Sequence, residues 1–218
     1  MTDIRVKICG LRTRADVETA KEAGAHWIGL VDFPKSPRHV DAQTARDLSG
    51  YARSLGLEPV VLTVNPTVEQ IEAYLDGWEI SAIQFHGSEP NSALANAREL
   101  AGDTVEIWKA LPIATREDLK AVEAYPAADR FLFDAKPPKD ATRPGGLGHA
   151  FDWTLLSDFD CPKPWLLAGG LTPDTVAEAV AISGANAVDV SSGVEQEKGV
   201  KSTQLIHAFV QNAVLPSA

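Results

Sequence analysis

The feature that most limits what this chain can fold into is an eightfold alternation. Eight short runs rich in branched and aromatic residues, "IRVKIC", "HWIGLV", "PVVLTV", "SAIQFH", "EIWKAL", "RFLFDA", "PWLLAG" and "AVDVSS", are each followed by a stretch of helical periodicity. A strand that is always followed by a helix predicts parallel strands, because a parallel neighbour is reached only through a crossover of a dozen or more residues. Thr13, Asp41 and Thr67 stand where N-caps are expected, and Gly24, Gly56, Gly77, Gly102 and Gly184 where helices should close. In "LTPD", Pro173 is expected in a first helical turn behind Thr172. Eight units in 218 residues leave about 27 residues each, compact but sufficient for a closed (β/α)₈ TIM barrel, read as a single domain over residues 1–218. An open doubly wound sheet is the structural alternative. It usually carries a glycine-rich dinucleotide fingerprint after its first strand, and "CGLRTRAD" is not one.

Composition narrows the partners. With 44% hydrophobic and 23% charged residues the chain can bury a core. A net charge of −10 argues against nucleic acid and against an anionic membrane surface, and it requires that any capture site for an anionic substrate be local. The start, "MTDIRVKICGLRTRADVETA", lacks the apolar segment of a secretory signal, and no apolar run approaches a membrane span. Two distant cysteines then suggest reduced thiols in a cytoplasm. Cys161, in "DFDCPKPW", reads as structural.

In a barrel of this kind the chemistry lies at the C-terminal ends of the strands. Those ends read Cys9, Asp32 and Phe33, Asn65, His86, Lys109, Asp134, Gly169 and Gly170, then Ser191, Ser192 and Gly193. Alternation along a strand turns Phe131 and Phe133 toward the helices and Asp134 into the mouth; it also turns Lys7 and Cys9 inward. A thiol and a carboxyl across one mouth could serve as base and acid. Position alone leaves Cys9 equally readable as buried filler and Asp134 as a loop cap. Strand 8 should adjoin strand 1, so Asp189 is expected to pair with Lys7 and to leave Cys9 only modestly activated. The turns "AGGLTPD" and "SSGVE", after strands 7 and 8, suit a phosphate held by backbone N–H groups, with Gly169, Gly170, Ser192 and Gly193 as candidates. Arg38, in "FPKSPRHV", suits a planar carboxylate, or is simply solvated. His86 could meet substrate or only backbone. The 14-residue loop from Lys136 to His149 has the length and Pro/Gly content of a lid or binding loop. No metal-ligand spacing is present.

Together the stretches "VKICGL", "FPKSPRHV", "VNP", "QFHG", "KAL", "FDAKPPKDATRPGGLGHAFDW", "LAGGLTPDTVAEA" and "AVDVSSGVEQEKGVK" carry a resemblance along nearly the whole chain. The sequence resembles the phosphoribosylanthranilate isomerases. The resemblance implies an Amadori rearrangement of N-(5-phosphoribosyl)anthranilate to 1-(2-carboxyphenylamino)-1-deoxyribulose 5-phosphate, a step of tryptophan biosynthesis. It implies Asp134 as general acid and Cys9 as general base. It also implies Arg38 on the anthranilate carboxylate, the glycine turns on the phosphate, and neither cofactor nor metal. The expected partner is this small molecule alone. Oligomeric state is not legible. A related phosphosugar isomerase or epimerase, or a catalytically retired binding barrel, are the alternatives. One position departs from the family pattern: Asp32 replaces an aromatic residue after strand 2, and either points away from the site or pairs with Lys35.

Overall fold

A computed structural model of the chain describes residues 4–136 and 150–214. The expected lid loop, apart from Lys136, lies outside the described residues.

Eight parallel strands close into a barrel in chain order. They are β1 (Arg5–Cys9), β2 (Trp27–Asp32), β3 (Glu58–Thr63), β4 (Ala82–Phe85), β5 (Glu106–Ile113), β6 (Arg130–Ala135), β7 (Trp165–Leu167) and β8 (Ala187–Val190). Closure is made by β1 against β8, in a register that sets Lys7 beside Asp189. Four helices follow the first four strands: α1 (Arg14–Ala23), α2 (Ala42–Ser54), α3 (Val68–Gly77) and α4 (Asn91–Ala101). After β7 and β8 come α5 (Val176–Ser183) and α6 (Thr203–Val214).

The expected caps hold at Thr13, Asp41 and Thr67, whose side chains each accept from a backbone N–H in the first turn. Gly24 and Gly184 close α1 and α5 in the left-handed conformation. Gly77 does not cap α3; it is the helix's last residue, and Trp78 follows as the cap in extended backbone. A Cβ at Gly77 would meet the guanidinium of Arg46, the movable end of a flexible side chain. Pro173 precedes α5 instead of entering it: Thr175 Oγ1 accepts from Thr172 N at 3.1 Å, and the resulting turn delays the helix to Val176.

The stretch after β5 is a 3₁₀ helix, Arg116–Ala124, instead of an α-helix. Its apolar residues Leu119 and Val122, with Tyr125 at its cap, recur every third position, which aligns them on one edge when there are three residues per turn. A second short 3₁₀ segment, Trp153–Leu156, follows β6.

Two apolar layers result. The larger lies between strands and helices and includes Val6, Ile8, Ile28, Leu30, Phe131, Phe133 and Phe209. The smaller fills the barrel: Trp27, Val60, Ala82, Trp108, Ala110, Leu132, Leu166, Ala168 and Ala187. Trp27 and Trp108 meet edge to face at 5.5 Å near the N-terminal ends of the strands. They close that end, so the polar inward residues further along the strands are left to line the other.

Candidate active site

Alternation on β6 places Phe131 and Phe133 in the outer layer, stacked at 6.4 Å, and turns Asp134 into the mouth. Asp134 Oδ1 accepts from the Ala135 N–H at 2.8 Å. Its Oδ2 lies 3.2 Å from His86 Nε2. His86 stands two residues beyond Gln84 on β4, hence on the same face, and its Nδ1 is 3.1 Å from Gln84 Nε2. Gln84 Oε1 is buried without a hydrogen-bond partner. His86 and Asp134 form part of the wall of a cavity of ≈ 350 Å³, with Val64, Asn65, Ala110 and Pro112 on other sides.

Cys9 ends β1 and is 3% exposed. A Cβ at Gly29, its neighbour on β2, would lie 2.6 Å from Cys9 Sγ, so that glycine makes the thiol's seat. Below it, Lys7 Nζ donates to Asp189 Oδ1 at 2.8 Å, the pair expected from barrel closure. Burial pushes the Cys9 thiol above its ordinary range; Lys7 opposes this, Asp189 adds to it, and Lys201 opposes it again. In the resting site the thiol is therefore protonated at neutral pH.

Arg38 is not a solvated loop residue. It is 4% exposed, with Nε and Nη2 donating to Glu195 Oε1 and Oε2 at 2.6 and 2.9 Å. Its stem lies over Gly10, where a Cβ would come within 2.6 Å of Arg38 Cδ and where φ is +81°. The space left by Gly10, directly after Cys9, is thus filled by the arginine. Glu195 begins a small antiparallel hairpin, β9 (Glu195–Glu197) with β10 (Val200–Lys201), that the sequence reading did not anticipate. Lys201 Nζ donates to Glu195 Oε1 at 3.0 Å and to the Ser191 carbonyl at 2.9 Å, while Ser191 Oγ donates to the Cys9 carbonyl at 3.1 Å. Burial raises the Glu195 carboxyl, but the hydrogen bonds from Arg38, with Lys201 and the Gly199 N–H, bring it down to about 2. The signal for Glu195 and Lys201 was absent from local pattern, since Arg38 and Glu195 are 157 residues apart.

The two glycine turns come together. Gly169 and Gly170 hold positive φ, at +83° and +66°. A Cβ on Gly169 would lie 2.5 Å from Ala135 N and 3.1 Å from Asp134 Oδ1, which sets this turn against the acid. Ser192 and Gly193 open a 3₁₀ turn, Ser192–Val194, and a Cβ on Gly193 would overlap the Leu171 carbonyl oxygen. The turns after β7 and β8 thus pack backbone to backbone.

Two strand-end residues face the other way. Lys109 points into the helix layer, where Nζ donates to the Gly87 carbonyl at 2.7 Å and to Glu89 Oε2 at 2.9 Å. Glu89 also accepts from Asn65 N and Gly87 N, and so braces two loops of the cavity wall from behind. Asp32 points outward as well. Its Oδ2 accepts from Tyr74 Oη at 2.5 Å, and His39 Nδ1 lies 3.7 Å from Oδ1. Its partners are these and not Lys35. Among the described residues no group of three or more His, Cys, Asp or Glu could hold a metal ion, and no helix is long and apolar enough to cross a membrane.

Residues 6–212 match the family model described as N-(5'-phosphoribosyl)anthranilate (PRA) isomerase. The chain is 49% identical to the N-(5'-phosphoribosyl)anthranilate isomerase of Rhodopseudomonas palustris (strain BisA53), over 95% of this chain and 94% of that one. It superposes on the crystal structure of the phosphoribosyl anthranilate isomerase from Thermotoga maritima with a TM-score of 0.83 and 33% identity, covering 96% and 98% of the two chains. A second crystal structure of such an enzyme, in complex with reduced 1-(o-carboxyphenylamino)-1-deoxyribulose 5-phosphate, gives a TM-score of 0.81 at 31% identity, with the same coverage. A family model matched over residues 6–212, a relative 49% identical along nearly its whole length and a barrel matched almost end to end make the assignment: the chain belongs to the N-(5'-phosphoribosyl)anthranilate isomerase family.

Proposed function

We infer that this protein isomerises N-(5-phosphoribosyl)anthranilate to 1-(2-carboxyphenylamino)-1-deoxyribulose 5-phosphate by general acid and base catalysis. The observation that carries the reading is the setting of Asp134, inward on β6 and backed by His86 Nε2 at 3.2 Å, in a chain of this family. Protonated Asp134 gives its proton to the furanose ring oxygen. The bond from that oxygen to C1 breaks as the nitrogen lone pair forms a C1–N double bond. Cys9, as thiolate, then takes the proton from C2; the released electron pair makes the C1–C2 double bond and returns the C1–N electrons to nitrogen. The enolamine so formed relaxes to the ketone. His86 holds the acid and contacts substrate. Arg38 takes the anthranilate carboxylate, and the turns at Gly169, Gly170, Ser192 and Gly193 take the phosphate through backbone N–H groups.

The test is direct: purified protein is given freshly generated phosphoribosylanthranilate and formation of the ketose phosphate is followed. Conversion is expected; folded protein that forms no product sinks the reading.

A further inference from the structure

Glu195 is saturated. Oε1 accepts from Arg38 Nε at 2.6 Å and Lys201 Nζ at 3.0 Å, and Oε2 accepts from Arg38 Nη2 at 2.9 Å and Gly199 N at 3.1 Å. A carboxylate offers about four acceptor sites, so protein groups use all of them and none remains for a substrate. Its side chain and those of Arg38 and Lys201 are each at most 5% exposed. What Glu195 does is therefore done through Arg38. A guanidinium has five N–H donors on two bidentate edges. Glu195 occupies the Nε–Nη2 edge, and the edge formed by Nη1 and Nη2 is the one left for a second carboxylate.

The arginine stem has its own constraint. It lies over Gly10, and a side chain there would displace it. The hairpin carrying Glu195 is held just as closely: a Cβ on Gly199 would lie 2.7 Å from the Pro37 carbonyl, one residue before Arg38. Lys201 adds the last tie, to Ser191 and so to the backbone of Cys9.

From this we propose that Glu195 is a positioning residue for carboxylate recognition: the β9–β10 hairpin fixes which edge of the Arg38 fork meets the aromatic acid, and holds it in register with Cys9. The proposal rests on the reading of Arg38 as the anchor of the anthranilate carboxylate. Such an anchor discriminates by its donors, since a site built to hydrogen-bond a group rejects the analogue lacking it. Swinging the fork by an ångström loses that discrimination without removing the charge.

The experiment compares two substrates, phosphoribosylanthranilate and the adduct of ribose 5-phosphate with aniline, which has no carboxylate. In the unaltered protein the preference for the carboxylate substrate, as a ratio of kcat/KM, measures Arg38. Arg38→Lys sets the floor of that ratio. Glu195→Gln is expected to lower the ratio by about tenfold or more, chiefly through KM of the carboxylate substrate, while Arg38 is intact. Glu195→Asp, which keeps the charge but draws it back by one methylene, is expected to fall between, and it carries the test if Glu195→Gln does not fold. A ratio that stays at the unaltered value in both variants, or equal losses on both substrates, overturns the proposal. No turnover of phosphoribosylanthranilate by the unaltered protein, or a ratio that Arg38→Lys leaves unmoved, would instead overturn the reading beneath it.

Discussion

At the level of single residues, the proposed mechanism gives the acid step to Asp134 and the base step to Cys9. Positioned proton transfer is worth about 10²–10⁴-fold per group, so Cys9→Ala and Asp134→Asn should each lower kcat by that factor. Thermal unfolding should show both variants folded. The thiol also sets a pH dependence. Burial holds it above its ordinary 9.0, and the base form is the thiolate, so kcat/KM should climb with pH through the alkaline range and not level off near neutrality. Replacing Lys7 and Asp189 together, as Lys7→Met with Asp189→Leu, removes a cation whose downward pull exceeds the upward push of Asp189. The alkaline limb should then move to higher pH, which a pH–rate series will read. The Lys7–Asp189 pair is legible in the sequence because closure puts β8 beside β1 and alternation fixes the faces. Arg38–Glu195 was not, because nothing local in "SSGVEQEKGVK" says where its carboxylate points.

Not every strand end faces the mouth: Asp32 and Lys109 occupy the outward phase of their strands, as their even spacing from outward Leu30 and Leu111 requires. Each instead ties an element down. Asp32 joins β2 to α3 through Tyr74, whose hydroxyl also meets Thr63 Oγ1 at 3.2 Å. The departure at Asp32 therefore falls on a strand-to-helix contact. Tyr74→Phe would leave that carboxylate without its donor and should destabilise the fold by about 1.5–3 kcal/mol, measured by urea unfolding. The α-helical caps were legible because each needs only a side chain within three or four residues. The 3₁₀ form of Arg116–Ala124 was hidden, since the same residues also satisfy a helical pattern at 3.6.

Across the whole molecule, stability and site share the same buried charges. Glu195 sits at about 2 against an ordinary 4.5. A group lowered on folding adds stability that is complete above its unfolded value and disappears as pH falls through the folded one. Acid unfolding should therefore steepen between pH 4.5 and about 2, and Glu195→Gln should flatten that window in a urea-midpoint series. The barrel itself was legible from the eightfold alternation because each unit is local. The β9–β10 hairpin was not, being two strands of three and two residues.

The contact between Lys7 and Asp189 spans 182 residues of sequence and is made by the first strand against the last. During synthesis, then, the amino-terminal strand waits with its lysine and thiol unpaired until nearly the entire polypeptide has emerged. A ribosome-bound chain stopped before β8 has neither the counter-charge under Cys9 nor the glutamate behind Arg38. A product truncated there lacks the strand that closes the barrel and can form neither of these two ion pairs.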